Sequence, residues 1–289
     1  MACIEKFPSD PGQRRTFEGP NQYRPAKDLK IRVFQDYLKV ATQILPKDAK
    51  LSKPSLWHSD LHANNIFVDP SQPTKIVNIV DWQAVSIAPL FRQARLPPLV
   101  EFEGPLPEGL KPIKLPDGLD DMSEEQKNQA RALKIAQSLY KLYQIRMAFQ
   151  CPDIIEAIRF QHTLPGRITG LAGSIFSDGE PILQGMLIQL QDEWDTVVGS
   201  SIPCPLSFNF EERSEQQDLE RTWNKSIELM RHALNEMGEY YGWDGWVNYK
   251  NYNVYKERLS QCRESFLNRM AKTEEERSQW IHAWPFEDK

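Results

Sequence analysis

Residues 56–69, LWHSDLHANNIFVD, decide how this chain is read. They crowd His58, Asp60 and His62 together, add Asn64 and Asn65 at once, and run into an apolar stretch. Three chemistries fit such a cluster: a histidine metal site, a phosphoryl-transfer loop, or a polar turn without chemistry. Two histidines four apart share one face of a helix, as zinc ligands do. HANN is weak helix material, however, and the segment leads directly into β-like residues. The remaining histidines, His162, His232 and His282, each stand alone. A histidine-ligated metal is therefore the weaker reading.

The spacing His58-x-Asp60-x-x-x-x-Asn65 suits phosphoryl transfer, and NIVDW supplies a further acid, Asp81. This is the spacing of a kinase catalytic loop, in which an Asp accepts the hydroxyl proton and an Asn holds Mg²⁺ with a later Asp. The segments NIFVD and KIVNIVDW, separated by PSQPT, read as a β-hairpin that carries Asp81 back beside Asn65. Asp60 is the expected catalytic base, with Asn65 and Asp81 as metal ligands. Two oxygen donors plus ATP phosphates suit Mg²⁺, a hard ion seldom caged by protein alone. His58 is expected to brace the loop through backbone hydrogen bonds. His62 is read either as a substrate or phosphate contact or as a structural hydrogen bond, and Trp82 as a packing or substrate-contacting ring.

HSDLHANN resembles the HGDLHxxN loop of aminoglycoside and choline phosphotransferases, and the likeness extends through NIFVD and IVDWQ. Protein kinases usually carry Arg where this chain has Ser59. LWHSDLHANNIFVDP, IVDWQAVSIAPLF and CPDIIEAIRFQHTLPGRI are similar to the fungal branch of the aminoglycoside-phosphotransferase superfamily that includes the altered-inheritance-of-mitochondria protein nine. The resemblance covers most of the chain from about residue 25. It implies a kinase-like fold, ATP and Mg²⁺ as cofactors, an unnamed small-molecule acceptor, and a mitochondrial location for intact members, with the cytoplasm as the alternative.

Outward from the loop, residues 1–25 read as an irregular lead-in, and residues 26–45 as one amphipathic helix stopped by Pro46. Residues 95–122 are Pro-rich, which excludes a regular helix or central strand and suggests an ordered excursion. SEEQ, beginning at Ser123, is a capping-box pattern, followed by a face of Ala130, Leu133, Ala136, Leu139, Tyr140, Tyr143 and Met147. A shorter helix opens at Pro152, TLPGRITGLAGS breaks it, and helices follow over 180–198, 211–237 and beyond 250. The expected class is α+β and mainly helical: a kinase-like large lobe over residues 26–289 with one catalytic hairpin.

Such kinases place a small β lobe with a Gly-containing phosphate loop, a strand Lys and a helix Glu before the catalytic loop. No GxGxxG and no VAIK-like strand precede His58, and GLAGS at 170–174 follows no clear strand. The expectation is a truncated phosphotransferase whose missing small lobe belongs to a longer gene product or a partner chain. A non-catalytic kinase-like scaffold is the alternative. The acids of residues 211–220 read as a solvated helix face, and Tyr240, Tyr241, Trp243 and Trp246 as packing or an alkylammonium cage.

Composition narrows the partners. The chain of 289 residues is 40% hydrophobic and 26% charged, with a net charge of -5, so no general attraction to nucleic acid is expected. No apolar run reaches the roughly 18 residues of a membrane span. Cys3, Cys151, Cys204 and Cys262 lie far apart with no CxxC pair, which suits buried thiols.

Overall fold

A computed structural model describes residues 17–286, apart from 18, 25, 84, 108, 110, 178, 240–242 and 244. Most of the lead-in, with Cys3, and Tyr240 and Tyr241 of the aromatic cluster lie outside the described residues. The architecture is α+β and mainly helical, with two small antiparallel strand pairs. The chain divides into two compact units, one of residues 46–166 and one of residues 1–45 with 167–289.

The loop-bearing unit begins with β1 (Pro54–Leu56), β2 (Ile66–Asp69), β3 (Gln72–Ile79), β4 (Ile87–Pro89) and α2 (Leu90–Gln93). The hairpin β2–β3 forms as the branched residues demand, pairing Ile66 with Ile79 and Phe67 with Asn78. Its turn is shorter than PSQPT suggests. Asp69 Oδ1 accepts from both the backbone N–H and the hydroxyl of Ser71, and the strand resumes at Gln72. A second pair, β1 with β4, joins Ser55 to Ala88 and Leu56 to Ile87. The sequence reading has one hairpin only. These strands are three residues long and far apart in sequence, so no local period betrays them.

The long helix α3 (Glu124–Gln150) starts at the expected capping box, with Ser123 and Gln126 bonded reciprocally. Residues 95–122 hold only short 3₁₀ turns, at Pro98–Val100 and Leu119–Asp121, among the described residues. They run along α3: Phe102 meets Tyr140 edge-on at 5.7 Å, and Gln137 donates to the Pro105 carbonyl. Helix α4 (Pro152–His162) closes a small core of Leu51, Leu90, Phe91, Ala94 and Ala157.

The expected break at TLPGRITGLAGS is a helix instead, α5 (Leu164–Leu171), followed by a 3₁₀ turn Ala172–Ser177. Thr163 Oγ1 accepts from Gly166 N, and Pro165 sits in the first turn, where a missing N–H costs nothing. The glycine answers a packing need: a Cβ at Gly166 would lie 1.9 Å from the Phe160 carbonyl oxygen.

In the other unit, α1 (Lys27–Val40) buries Leu29, Val33 and Val40 and packs on α6 (Glu180–Asp192). The helix ends before Leu45 because the chain turns at Ala41, which swings Ile44 into the interior at 2% exposure. A short α7 (Trp194–Val197) follows. Then α8 (Phe210–Met237) begins at an Asn209–Glu212 capping box and stops at left-handed Gly238. Helices α9 (Tyr252–Met270) and α10 (Glu274–His282) complete a core in which Phe17 stacks on Phe266 at 4.8 Å. Tyr23 donates to Glu180, which is fully buried, at 2.5 Å, and Tyr23 N donates to Ser226 Oγ.

Candidate functional site

Residues 58–65 make a tight loop held by hydrogen bonds among its own backbone and side-chain groups. His62 caps the 3₁₀ turn Ala63–Asn65, its Nδ1 accepting from Asn64 N at 3.2 Å. The Asp60 carbonyl accepts from His62 N at 3.0 Å and from Asn65 Nδ2 at 2.9 Å. Asn65 is 7% exposed, so its amide is oriented by these contacts rather than by water. Its backbone oxygen accepts from Val80 N at 3.0 Å, which continues the β2–β3 ladder and fastens the loop to the far end of the hairpin.

His58 occupies both ring nitrogens. Nε2 donates to the Val80 carbonyl at 2.9 Å, and Nδ1 accepts from Asp60 N at 3.3 Å. One tautomer, with the proton on Nε2, satisfies both contacts. Trp82 packs edge-on to this imidazole at 4.8 Å and donates its indole N–H to Ile79 O at 2.8 Å. His62 Nε2 stands 3.4 Å from Asp60 Oδ2 and 3.2 Å from Asn65 Nδ2. Because Nδ1 of His62 accepts from Asn64 N, a neutral ring carries its proton on Nε2, where the Asp60 carboxylate can accept it and the Asn65 Nδ2 contact is not a hydrogen bond.

Asp60, Asn65, His58 and His62 are thus brought together, and Asp81 joins them at the end of the hairpin, next to the Val80 that pairs with Asn65. Asp81 is exposed and takes φ 63°, a left-handed conformation in which short polar residues are over-represented. The carboxylate of Asp60 is also open, its side chain 57% exposed. Among the described residues no three His, Cys, Asp or Glu side chains cluster as a metal-holding set. The Asn65 amide and the Asp81 carboxylate each carry oxygen donors of the kind a hard cation takes.

Sequence reasoning missed Gln93. This buried amide donates to the carbonyls of Ser55, Ser86 (3.1 Å) and Ala88 (3.4 Å), tying β1 to β4. Nothing in LFRQA marks it, because its partners are backbone atoms from other segments. Leu61 is a second omission, its carbonyl accepting from Leu99 N at 3.1 Å and so tethering the loop to the Pro-rich excursion.

Other candidates fall into structural roles. Glu212 of the acidic run caps Asn209, and Glu220 accepts from Gln216. Trp243 donates to the Trp246 carbonyl and lies 6.1 Å from the Tyr255 ring. Cys151 is exposed, Cys204 half-buried and Cys262 buried, all as free thiols.

Residues 7–92 match the APH family, described as "Phosphotransferase enzyme family". The matched span contains the whole loop and Asp81. The chain is 24% identical over 291 aligned positions to two Aspergillus fumigatus proteins, from strains A1163 and Af293, each described as a subtelomeric hrmA-associated cluster protein. The alignments take in 100% of this chain and 55% of each relative, so the chain spans about half the length of the curated relatives it matches. No solved structure matches the chain. No described helix is long and apolar enough to cross a membrane. The loop and hairpin of this protein are therefore similar to those of a phosphotransferase family.

Proposed function

We propose that this chain is the large lobe of a kinase-like phosphotransferase that moves the terminal phosphoryl group of ATP to a small-molecule hydroxyl. The carrying observation is that Asp60 and Asn65 are locked together by the Asn65 amide while Val80 brings Asp81 to the same end of the hairpin. The family match over the same residues supports the reading.

In this proposal Asp60 receives and orients the acceptor hydroxyl and takes its proton as the oxygen attacks. Its open carboxylate leaves room for that hydroxyl, and the His62 N–H at 3.4 Å steadies it. His58 holds the loop against the hairpin strand rather than touching substrate. Asn65 and Asp81 would hold Mg²⁺, which when bound supplies charge neutralisation to the phosphates. The phosphate loop and strand Lys of such an enzyme would come from a small lobe in a longer product or a partner chain, and intact relatives are proposed to work in mitochondria.

The test is thermal unfolding with and without Mg²⁺-ATP, on this chain and on a form extended by the upstream coding sequence. A ligand at 100 times its dissociation constant stabilises by about 2.7 kcal/mol. The extended form should show that shift and its Asp81→Asn variant should not. A shift absent from every form would leave a non-catalytic kinase-like fold as the better account.

A further inference from the structure

A groove of about 470 Å³ opens between α6 and α8, and Arg167 of α5, Ile182, Gly185 and Met186 of α6, and Gln216 and Glu220 of α8 stand on its walls. Its whole lining belongs to the unit of residues 1–45 and 167–289, outside the segment 7–92 that matches the phosphotransferase family. Small-molecule sites occupy roughly 300–1,000 Å³, and this volume lies within that range.

Gln216 gives the groove a fixed polar wall. Its side chain is buried, and both hydrogens of its amide nitrogen are spent, on the Pro181 carbonyl at 3.0 Å and on Glu220 Oε2 at 2.6 Å. Because both partners are acceptors, the amide cannot turn over, and Oε1 is left as a carbonyl oxygen that receives no hydrogen bond among the described residues. Glu220, one turn further along α8, keeps its other carboxylate oxygen open and has no ion-pair partner among the described residues. Gly185 faces this pair: a Cβ there would lie 2.6 Å from Gln216 Nε2 and 3.1 Å from Glu220 Oε2. Glycine weakens a helix interior, and α6 accepts it where these two side chains approach.

The charges on the walls divide into spent and unspent. Arg213 and Asp192 bind each other through two hydrogen bonds, and Arg213 Nε also donates to the Phe208 carbonyl. Arg167 is exposed and has no ion-pair partner among the described residues. One cation and one carboxylate remain, Arg167 and Glu220, on the same groove as the apolar side chains of Ile182 and Met186.

We propose that this groove binds a short zwitterionic peptide. Its ammonium goes to Glu220 and the Gln216 carbonyl oxygen, its carboxylate to the guanidinium of Arg167, and its apolar first side chain to Ile182 and Met186. Other ligand classes fit the charges less well. A phosphate would face the Glu220 carboxylate with one unspent cation to hold it, a polyamine would be repelled by Arg167, and an uncharged apolar ligand would leave both charges unanswered. From Gly185 to Asp192 the α6 wall runs about 10 Å at 1.5 Å per residue. An extended tripeptide reaches at most about 11 Å. The site stands whether or not the chain transfers phosphate.

The probe is the tripeptide Leu-Gly-Gly, titrated calorimetrically into the full chain beside its N-acetyl and C-terminal amide forms. The free peptide should bind saturably. Each blocked form should bind at least about tenfold more weakly, the loss that follows removal of a hydrogen bond between charged groups. Arg167→Gln should weaken the free peptide by about tenfold and leave the amide form unaffected. Glu220→Gln should weaken the free peptide likewise and spare the acetyl form. Arg167 is exposed, so its variant should keep the unfolding midpoint of the parent. Glu215→Gln, at an exposed position of α8 off the groove, should change nothing. No binding of the free peptide at millimolar concentration overturns the inference. Equal binding of a blocked form does so too, as does binding that the Arg167 and Glu220 variants both leave intact.

Discussion

His58 Nε2 lies 2.9 Å from the carbonyl oxygen of Val80 and donates its N–H to it, joining the loop to the residue that follows β3 and precedes Asp81. Together with the Val80 N–H to Asn65 O hydrogen bond, this side chain ties the loop to the end of the hairpin. Replacing it by Phe keeps the ring against Trp82 but removes the donor. Leaving the carbonyl without a partner should cost about 1 kcal/mol in urea unfolding, and amide exchange at Asp60 and Val80 should accelerate. An unchanged midpoint would mean that the ring contact alone holds the loop.

Asp81 at φ 63° separates backbone cost from chemistry. Asp81→Gly should keep or slightly raise stability, because glycine adopts this conformation freely. Asp81→Val should lose roughly 1–2 kcal/mol, the cost of a left-handed branched residue. Both should abolish a Mg²⁺-dependent response, so a stable but unresponsive Asp81→Gly protein would place the role of Asp81 in binding rather than folding.

With an acceptor identified, Asp60→Ala should lower turnover by about 10²–10⁴-fold, the usual loss on removing a general base. Nucleotide affinity should stay near that of the parent protein, measured by titration calorimetry. Unchanged turnover would remove Asp60 from the chemistry.

Gln93 offers a test with no functional assumption. Gln93→Leu preserves volume and leaves the carbonyls of Ser55, Ser86 and Ala88 without this donor. The predicted cost is about 1 kcal/mol, the net worth of hydrogen bonds lost at partly buried carbonyls. A midpoint within error of the parent would show that water replaces the amide.

Acid sensitivity should reach α6 and α8 through Asp192. Arg213 donates to both of its carboxylate oxygens, at 2.9 and 2.8 Å, and these hydrogen bonds hold the Asp192 carboxyl below its usual range. The sign follows from that lowering: the folded state favours the charged form. The contribution is present above the unfolded value, about pH 4, and fades as pH falls through the lower folded value. Asp192 is 56% exposed, so solvent keeps the effect small. Asp192→Asn should be less stable than the parent at pH 6 and equal to it near pH 2.

Where neighbouring residues alone set the outcome, sequence sufficed. The His58–Asn65 spacing, the Ser123–Gln126 cap, the β2–β3 hairpin and the helix ending at Gly238 all rest on contacts within a few residues or on one period. Long-range packing decided the rest. The turn at Ala41 ends α1 and buries Ile44, the close approach of the Phe160 carbonyl requires glycine at 166 within α5, and Gln93 reaches three carbonyls outside its own helix. Helix α3 makes the same point. Periodicity marks apolar rows on a helix, but only the tertiary fold decides which row is covered, because burial is a property of neighbours that the local sequence does not contain.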